Sequence, residues 1–242
     1  MGKISQKYSR WKQAQHYELN WWQKSKKKVS VEFYKNSAEE VRKYLNERNV
    51  RINEDTYVLE VGSGMCGILT FLQESHERYA IDPLESEFAT VPEFVSLRDQ
   101  SVKYFTAKGE DIPFGKDMFD LVILDNVLDH CEDPLKVIKE IKRVLKAGGI
   151  LYFRQNTYNC YGKFVRGIME IFLVDKGHPH TFTKRFLRKC LFQHGFEIVS
   201  SKHSGYCSTW ISEITSKSLK DKVKAFLFVT RDKVTYLVVN DR

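Results

Sequence analysis

The chain has 242 residues, 42% of them hydrophobic and 13% aromatic, which predicts one globular domain rather than a disordered chain. It has no apolar run near the ~18 residues of a membrane span, and its polar, basic N-terminus lacks the apolar stretch of a signal peptide. Its formal net charge is +8. Its five cysteines are scattered without a C-x-x-C pair, so we expect neither a disulfide framework nor a zinc site, and a cytoplasmic protein.

The first 50 residues are predicted to form two helices. Residues 10–28 carry several tryptophan and tyrosine side chains, and these rings either pack on the core or cover a binding site. Residues 37–48 form the second helix, with Ser37 as a possible N-cap and Glu40 at the spacing of a capping box.

A glycine turn follows the first predicted strand. Residues 58–61 form a short apolar run that suits a buried parallel strand, and Glu60 lies near its end, where a carboxylate can face a cation or a hydroxyl. Gly62 and Gly64 allow a tight turn into a helical pattern, with backbone that can approach a ligand closely. Together with Gly67 they also fit the dinucleotide fingerprint G-x-G-x-x-G, so the turn alone leaves two kinds of nucleotide-binding fold open.

Alternating strand and helix signals continue to about residue 154. A strand at 78–82 ends in Asp82, an acid that can hold ribose hydroxyls in either fold. A buried strand at 119–124 comes next, and then a helix with Asp133 as its N-cap that runs to about residue 146. Two glycines are expected to end that helix before a parallel strand at 150–154.

The last part of the chain adds segments that a minimal strand–helix–strand unit does not need. An apolar helix is predicted at 164–174, followed by a loop at 175–180 that contains two histidines. A helix at 184–194 leads into a strand at 195–199, a further helix spans 218–229, and a closing strand spans 234–239.

This succession resembles the class I S-adenosylmethionine-dependent methyltransferases, in particular those that act on small molecules. Their pattern is E-x-G-x-G, a strand-end acid, L-P-F, F-D-x-V and R-V-L-K-x-G-G, which corresponds here to residues 60–64, Asp82, 112–114, 119–122 and 143–149. The resemblance covers roughly residues 55–156, extends more weakly to about 200, and disfavours a dehydrogenase.

The resemblance implies an α/β fold: a Rossmann-like, doubly wound, mostly parallel seven-stranded sheet with an antiparallel closing strand, N-terminal helices and a helical cap insertion after the fifth strand. Residues 1–50 would be a helical extension or lid, as N-terminal helices often are in the family. Residues 51–242 would be the methyltransferase domain, with the cap insertion at about 157–183.

The cofactor implied by the resemblance is S-adenosylmethionine. The residues expected to bind it are Glu60, Gly62, Ser63, Gly64, Asp82, Gly109, Glu110, Asp111, Asp125 and Asn126. Two positions depart from the family. Cys66 stands where a third glycine is frequent, and Lys108 stands where many members have an Asp that binds the adenine amino group. Adenine contact would then fall to the backbone near Gly109 or to the two acids that follow it.

Two segments compete for the role of serving the methyl acceptor. Residues 125–130 resemble the segment that binds a divalent cation in ubiquinone-pathway O-methyltransferases, but Asn126 replaces the first acid, so we expect no metal there and a structural role for His130 is the alternative. His178 and His180 form a loop pair that suits a base, a phosphate or a metal, or that simply stabilises the loop. The candidate catalytic residues are therefore these three histidines.

Charge is distributed unevenly along the chain. Residues 51–162 hold twelve basic and nineteen acidic residues, whereas 1–50 hold twelve against five and 163–242 hold fifteen against seven. An acidic middle suits a sulfonium cofactor, and basic flanks favour an anionic acceptor such as a sugar nucleotide or glycan precursor, unless they are only a solvated surface. The alternatives are an RNA methyltransferase, although nucleic acid is less favoured, and a non-catalytic S-adenosylmethionine-binding module.

Overall fold

A seven-stranded sheet forms the centre of the protein. The computed structural model describes residues 2–25, 31–172 and 177–241. The strands are β1 Val58–Val61, β2 Arg78–Asp82, β3 Lys103–Thr106, β4 Phe119–Asp125, β5 Leu145–Thr157, β6 Phe196–His203 and β7 Asp232–Asn240. Their order in the sheet is β3-β2-β1-β4-β5-β7-β6.

The direction of the strands places one edge of the sheet at the site. Strands β1 to β5 pair in parallel, and β7 is antiparallel to both β5 and β6, as predicted for the closing strand. β6 therefore points the same way as β5, and six carboxyl ends share one edge, which we call the carboxyl edge. The order reverses between β1 and β4, and ligands of doubly wound sheets bind in the crevice at such a switch point.

Helices cover both faces of the sheet. They are α1 Gly2–Ser25, α2 Val31–Asn46, α3 Glu85–Phe88, α4 Pro92–Val95, α5 Pro134–Val144, α6 Cys160–Ile171, α7 Lys184–Gln193, α8 Tyr206–Thr215 and α9 Leu219–Phe226. Buried side chains of α5 and α7 pack on one face, and those of α2 pack on the other. Among the described residues, no helix is both long and apolar enough to cross a membrane.

The helical pattern expected after the glycine turn is reduced to a 3-10 turn, Ile68–Thr70. Side chains from neighbouring strands donate hydrogen bonds to the backbone carbonyls that would accept from amides in a longer helix. Arg78 donates to the Leu69 carbonyl over 2.7 Å, and the Tyr104 hydroxyl donates to the Cys66 carbonyl over 2.5 Å. The prediction of a longer helix here was wrong, because these donors lie on β2 and β3 and reach the turn only through the pairing of the sheet.

The predicted start of the second helix was also wrong. Helix α2 begins at Val31, and Ser37 is a buried residue inside it rather than its N-cap. Ser37 and Glu40 instead both accept from the guanidinium of Arg154 on β5. Residues 26–28 of the first predicted helix lie outside the described residues.

Other boundaries were confirmed or shifted by a few residues. Asp133 caps α5, accepting from the Leu135 and Lys136 amides, but the helix ends at Val144 rather than at the two glycines. Those glycines lie within β5, where its pairing with β4 is irregular. Helix α8 was not predicted, and residues 173–176, which belong to the predicted apolar helix and the loop after it, are outside the described part of the chain.

Candidate cofactor cleft and histidine cluster

The glycine turn lies against the segment that follows β4. Gly62 has φ +76° and its amide donates to the Ile81 carbonyl over 2.8 Å. A Cβ at this position would lie 2.5 Å from a methyl carbon of Val127. Only glycine therefore fits here without a shift of Val127.

Glu60 supports the turn from beneath. Its two carboxylate oxygens accept from the Ile68 and Leu69 amides, at 2.9 and 3.1 Å. Burial raises the pKa of Glu60 to about 8, although the two amide donors act in the opposite direction. The predicted ligand role of this residue is thus accompanied by a structural one, since both oxygens already fix the backbone of the turn.

Asp82 links the turn to the end of β2. One oxygen accepts from the Gly64 amide and the other from the Leu84 amide, each over 2.9 Å. Burial raises the pKa of Asp82 to about 6. A carboxylate has about four acceptor sites, so these two bonds leave capacity for hydroxyl donors from a ligand.

The segment predicted to face adenine is shaped by the loop that precedes α5. Glu110 accepts from the Glu132 and Asp133 amides, at 2.7 and 3.1 Å. A Cβ on Gly109 would lie 3.1 Å from carbons of both Val61 and Val137. Glycine therefore allows close packing here, while the neighbouring Asp111 is exposed.

Lys108, the departure from the family pattern, contacts both Glu132 and Trp11. Its ammonium lies 3.3 Å from a carboxylate oxygen of Glu132 and 3.7 Å from the centre of the Trp11 ring on α1. A cation over an indole face is attracted by the ring. The lysine thus contacts the N-terminal helix.

Asp125 and Asn126, at the end of β4, bond mainly within the protein. Asp125 forms a two-pronged ion pair with Arg154, which is 5% exposed and also contacts Glu40. Burial acts to lower the pKa of Arg154, but the pairing with Asp125 raises it above its ordinary value. Asn126 adopts φ +57° and accepts from the Asn156 amide over 3.0 Å.

Gln155 was missed by sequence reasoning. It is fully buried on β5, donates to Asp129 over 2.9 Å and to Asn126 over 3.3 Å, and accepts from the Leu128 amide over 3.2 Å. The available signal was the run of polar residues 154–157 at the end of a parallel strand whose preceding residues are apolar. Gln155 orders the segment that carries His130.

The two competing histidine segments meet in one place. The ring centres of His130 and His178 are 4.5 Å apart. One ligand atom from each of them and from Asp129 lie within 4.8 Å of one another, so we call these three residues the histidine cluster. The sequence could not show that the alternatives form a single site.

His180 is placed differently from its neighbour. One ring nitrogen lies 2.9 Å from the Cys131 carbonyl, and its amide donates to the Asp129 carbonyl over 3.3 Å. The ring also stacks on Phe182. These contacts fasten the loop against the end of the 3-10 turn Leu128–His130, which favours a positioning role for His180.

The histidine cluster has the donor set of a metal site as well as that of a base. Two imidazoles and one carboxylate suit divalent transition metals better than Mg²⁺, which prefers oxygen ligands. Glu18 of α1 lies 3.8 Å from a ring nitrogen of His130. The expectation that no metal binds here stays a prediction.

Helix α1 lies across the carboxyl edge. A Cβ on Gly64 would lie 3.3 Å from the Trp22 indole, and Glu18 approaches the histidine cluster. Arg10 forms hydrogen bonds of 2.5 and 3.0 Å to Glu170 on α6. The helix thus contacts the glycine turn, the histidine cluster and the segment after β5.

Comparison with known proteins identifies a methyltransferase domain in this chain. Residues 59–153 match the family model for a methyltransferase domain. The chain is 32% identical over 119 residues to an uncharacterized protein of Methanocaldococcus jannaschii, covering 46% of this chain and 55% of that protein. It is 27% identical over 157 residues to a sarcosine/dimethylglycine N-methyltransferase of Halorhodospira halochloris, covering 62% and 54%. The chain spans about half the length of the curated relatives that it matches.

Among solved structures, the fold is similar to that of geranyl diphosphate C-methyltransferase from Streptomyces coelicolor, in complex with Mg²⁺, geranyl diphosphate and S-adenosyl-L-homocysteine. The TM-score is 0.64 at 14% identity, with 84% of this chain and 79% of that chain covered. The fold and the glycine turn define a class I methyltransferase core. The family match at residues 59–153 identifies a methyltransferase domain within this fold.

Proposed function

We propose that the protein transfers a methyl group from S-adenosylmethionine to an acceptor held at the histidine cluster. The observation that carries the proposal is the juxtaposition of the glycine turn, flanked by the acids Glu60 and Asp82, with His130 and His178 at the same edge of the sheet. The family match at residues 59–153 supports the methyl donor.

In this proposal the cofactor lies along the carboxyl edge. The ribose hydroxyls bind Asp82, the methionine end lies on the turn formed by Gly62, Ser63 and Gly64, and adenine packs at residues 109–111. The sulfonium leaves as a neutral thioether, so the protein contributes mainly position and exclusion of water. Helix α1, which contacts the turn and the cluster, would exclude that water.

The acceptor class follows from the cluster and from the basic flanks of the chain. A hydroxyl acceptor benefits from a base, and His130 or His178 is placed to serve as one. An anionic sugar nucleotide or glycan precursor fits the excess of basic residues in 163–242. RNA and a non-catalytic binding role are the alternatives, and an amine acceptor would need no protein base.

The cofactor assignment is tested by titration with S-adenosylhomocysteine. Asp82→Ala should weaken binding by about 1–3 kcal/mol, because the ligand hydroxyls lose their acceptor. Asp55→Ala, which changes an exposed aspartate in a surface turn, is the matched control and should bind normally. Equal affinity of the Asp82 variant would reject the ribose contact, and tight NADH binding in place of S-adenosylhomocysteine would reject the class.

The acceptor assignment is tested by S-adenosylhomocysteine release with a panel of sugar nucleotides, amines and RNA. If a hydroxyl is methylated, His130→Ala or His178→Ala should lower turnover about a hundredfold while cofactor affinity holds. His180→Ala should affect turnover only through the position of its loop. His203→Ala, which changes an exposed histidine, is the control. Loss of turnover with a chelator, restored by a transition metal, would assign the cluster to a cation. Full activity of all cluster variants would indicate an amine.

A further inference from the structure

Large apolar side chains are exposed on helices α6 and α9 of the C-terminal part. On α6, Phe164, Ile168 and Ile171 follow the i, i+4, i+7 spacing of one helical stripe and are 66%, 43% and 76% exposed. On α9, Leu219 and Phe226 have the same spacing and are 77% and 80% exposed. Single exposed apolar residues are ordinary, but contiguous stripes mark interaction surfaces.

These helices lie at the same edge of the sheet. Helix α6 begins three residues after the end of β5, and the α8–α9 pair connects the end of β6 with the start of β7. Because β5 and β6 point the same way, both connections begin at the carboxyl edge. We call the exposed stripes of α6 and α9 the apolar face; both lie on connections that begin at the carboxyl edge.

Internal packing fixes which side of the α8–α9 pair faces out. The Trp210 indole donates to the Ala225 carbonyl over 2.9 Å and stacks on Phe228, while Ala225 is buried. Ser218 caps α9. The apolar residues Leu219 and Phe226 therefore remain exposed although the two helices are packed together.

Basic residues accompany the apolar face, while its acids are bonded within the protein. Lys217 and Lys222 are exposed beside the stripe of α9. Glu213 accepts from the Thr230 hydroxyl over 2.6 Å, and Asp221 pairs with Lys224 over 3.2 Å. The surface thus combines apolar stripes with positive charge.

We propose that the apolar face docks on the surface of an anionic lipid bilayer. Helices with an apolar stripe flanked by lysine lie in the interface of such membranes, with the apolar side chains inserted and the ammonium groups at the lipid phosphates. A second copy of the chain is a poorer occupant, since a symmetric contact would bring like charges together. The proposal is independent of the methyl-transfer activity, and it turns the carboxyl edge of the sheet toward the bilayer.

Sedimentation of the full chain with vesicles tests the proposal. Phosphatidylcholine vesicles containing phosphatidylglycerol should bind the protein, those of phosphatidylcholine alone should bind it at least about tenfold more weakly, and salt should weaken binding. Leu219→Ser combined with Phe226→Ser should reduce binding about tenfold or more. Lys217→Glu combined with Lys222→Glu should do so as well.

Helix α7 offers matched controls, because it ends near the start of β6 at the opposite edge of the sheet. Phe192, 78% exposed, and exposed Lys189 lie there. Phe192→Ser and Lys189→Glu should bind vesicles like the unchanged protein. Circular dichroism should confirm that every variant is folded.

Three outcomes would overturn the proposal. Absence of binding to phosphatidylglycerol vesicles is the first, and an equal loss in the α7 controls is the second. The third is a stable dimer, seen by light scattering, that Leu219→Ser with Phe226→Ser dissociates. In that case a second copy covers the apolar face.

Discussion

Asp125 offers a direct test of whether a predicted ligand residue is mainly structural. Its carboxylate pairs with Arg154, whose side chain is buried and whose other partners are Glu40 and Ser37 on α2. Asp125→Asn leaves the guanidinium with one charged partner, Glu40, which is itself largely exposed. Breaking a buried ion pair lowers the free energy of unfolding by about 3–5 kcal/mol. Because Glu40 still pairs with Arg154, we expect a loss of about 3 kcal/mol, at the lower end of this range. For a chain of this length that is a fall in the unfolding midpoint of about 6–12 °C.

The same strand supplies the control for this prediction. Asp120 pairs with Lys146 over 2.7 Å at the other end of β4, but both side chains are more than a third exposed. Asp120→Asn should cost less than about 1 kcal/mol, as exposed pairs do. Thermal unfolding and S-adenosylhomocysteine titration of both variants separate the roles. An Asp125→Asn protein that unfolds at the unchanged temperature and yet loses the ligand would refute the structural reading.

Three further predictions follow from the turn and the N-terminal helix. Gly62→Ala should destabilise the protein by about 2–4 kcal/mol in a denaturant titration, because φ +76° and Val127 both oppose a Cβ; Gly115→Ala, with open space around it, should change little. Burial raises the pKa of Glu60 from 4.5 to about 8. The folded protein therefore binds a proton at Glu60 more tightly than the unfolded chain does, and this contribution to the free energy of unfolding is lost as pH rises from 4.5 to about 8. Glu60→Gln should therefore flatten the fall of the unfolding midpoint over the same range. Hydrogen exchange in residues 10–25 and 158–172 should slow when cofactor and acceptor bind, and unchanged exchange would argue against a lid.

Most strands of the fold could be predicted because buried strands have a simple sequence pattern, whereas β3, whose residues are largely exposed, was not predicted. The run at 78–82 ends in an acid and matches β2 residue for residue, and the closing strand was expected within two residues of its observed bounds. The helix expected after the glycine turn could not be ruled out in this way. Its carbonyls are taken by Arg78 and Tyr104, whose positions depend on the pairing of β2 and β3.

A local motif also misled because it had a distant partner. Ser37 and Glu40 have the spacing of a capping box, but both serve the guanidinium of Arg154, more than a hundred residues away. The histidine cluster shows the same limit of local reasoning. His130 and His178 lie on separate connections, and only the carboxyl edge brings their rings together. Sequence spacing thus identified the residues of the candidate site without their grouping.

Helix α1 connects the parts of the carboxyl edge that the two proposals concern. Through Trp22 and Glu18 it lies on the glycine turn and beside the histidine cluster, and through Arg10 it is bonded to Glu170 on α6. The stripe of α6 that faces outward belongs to the apolar face. A bilayer that holds α6 would therefore also bias the position of α1 over the cleft. Such coupling is reciprocal by thermodynamic necessity, so a ligand that displaces or fixes α1 would in turn change the affinity of the protein for the lipid surface.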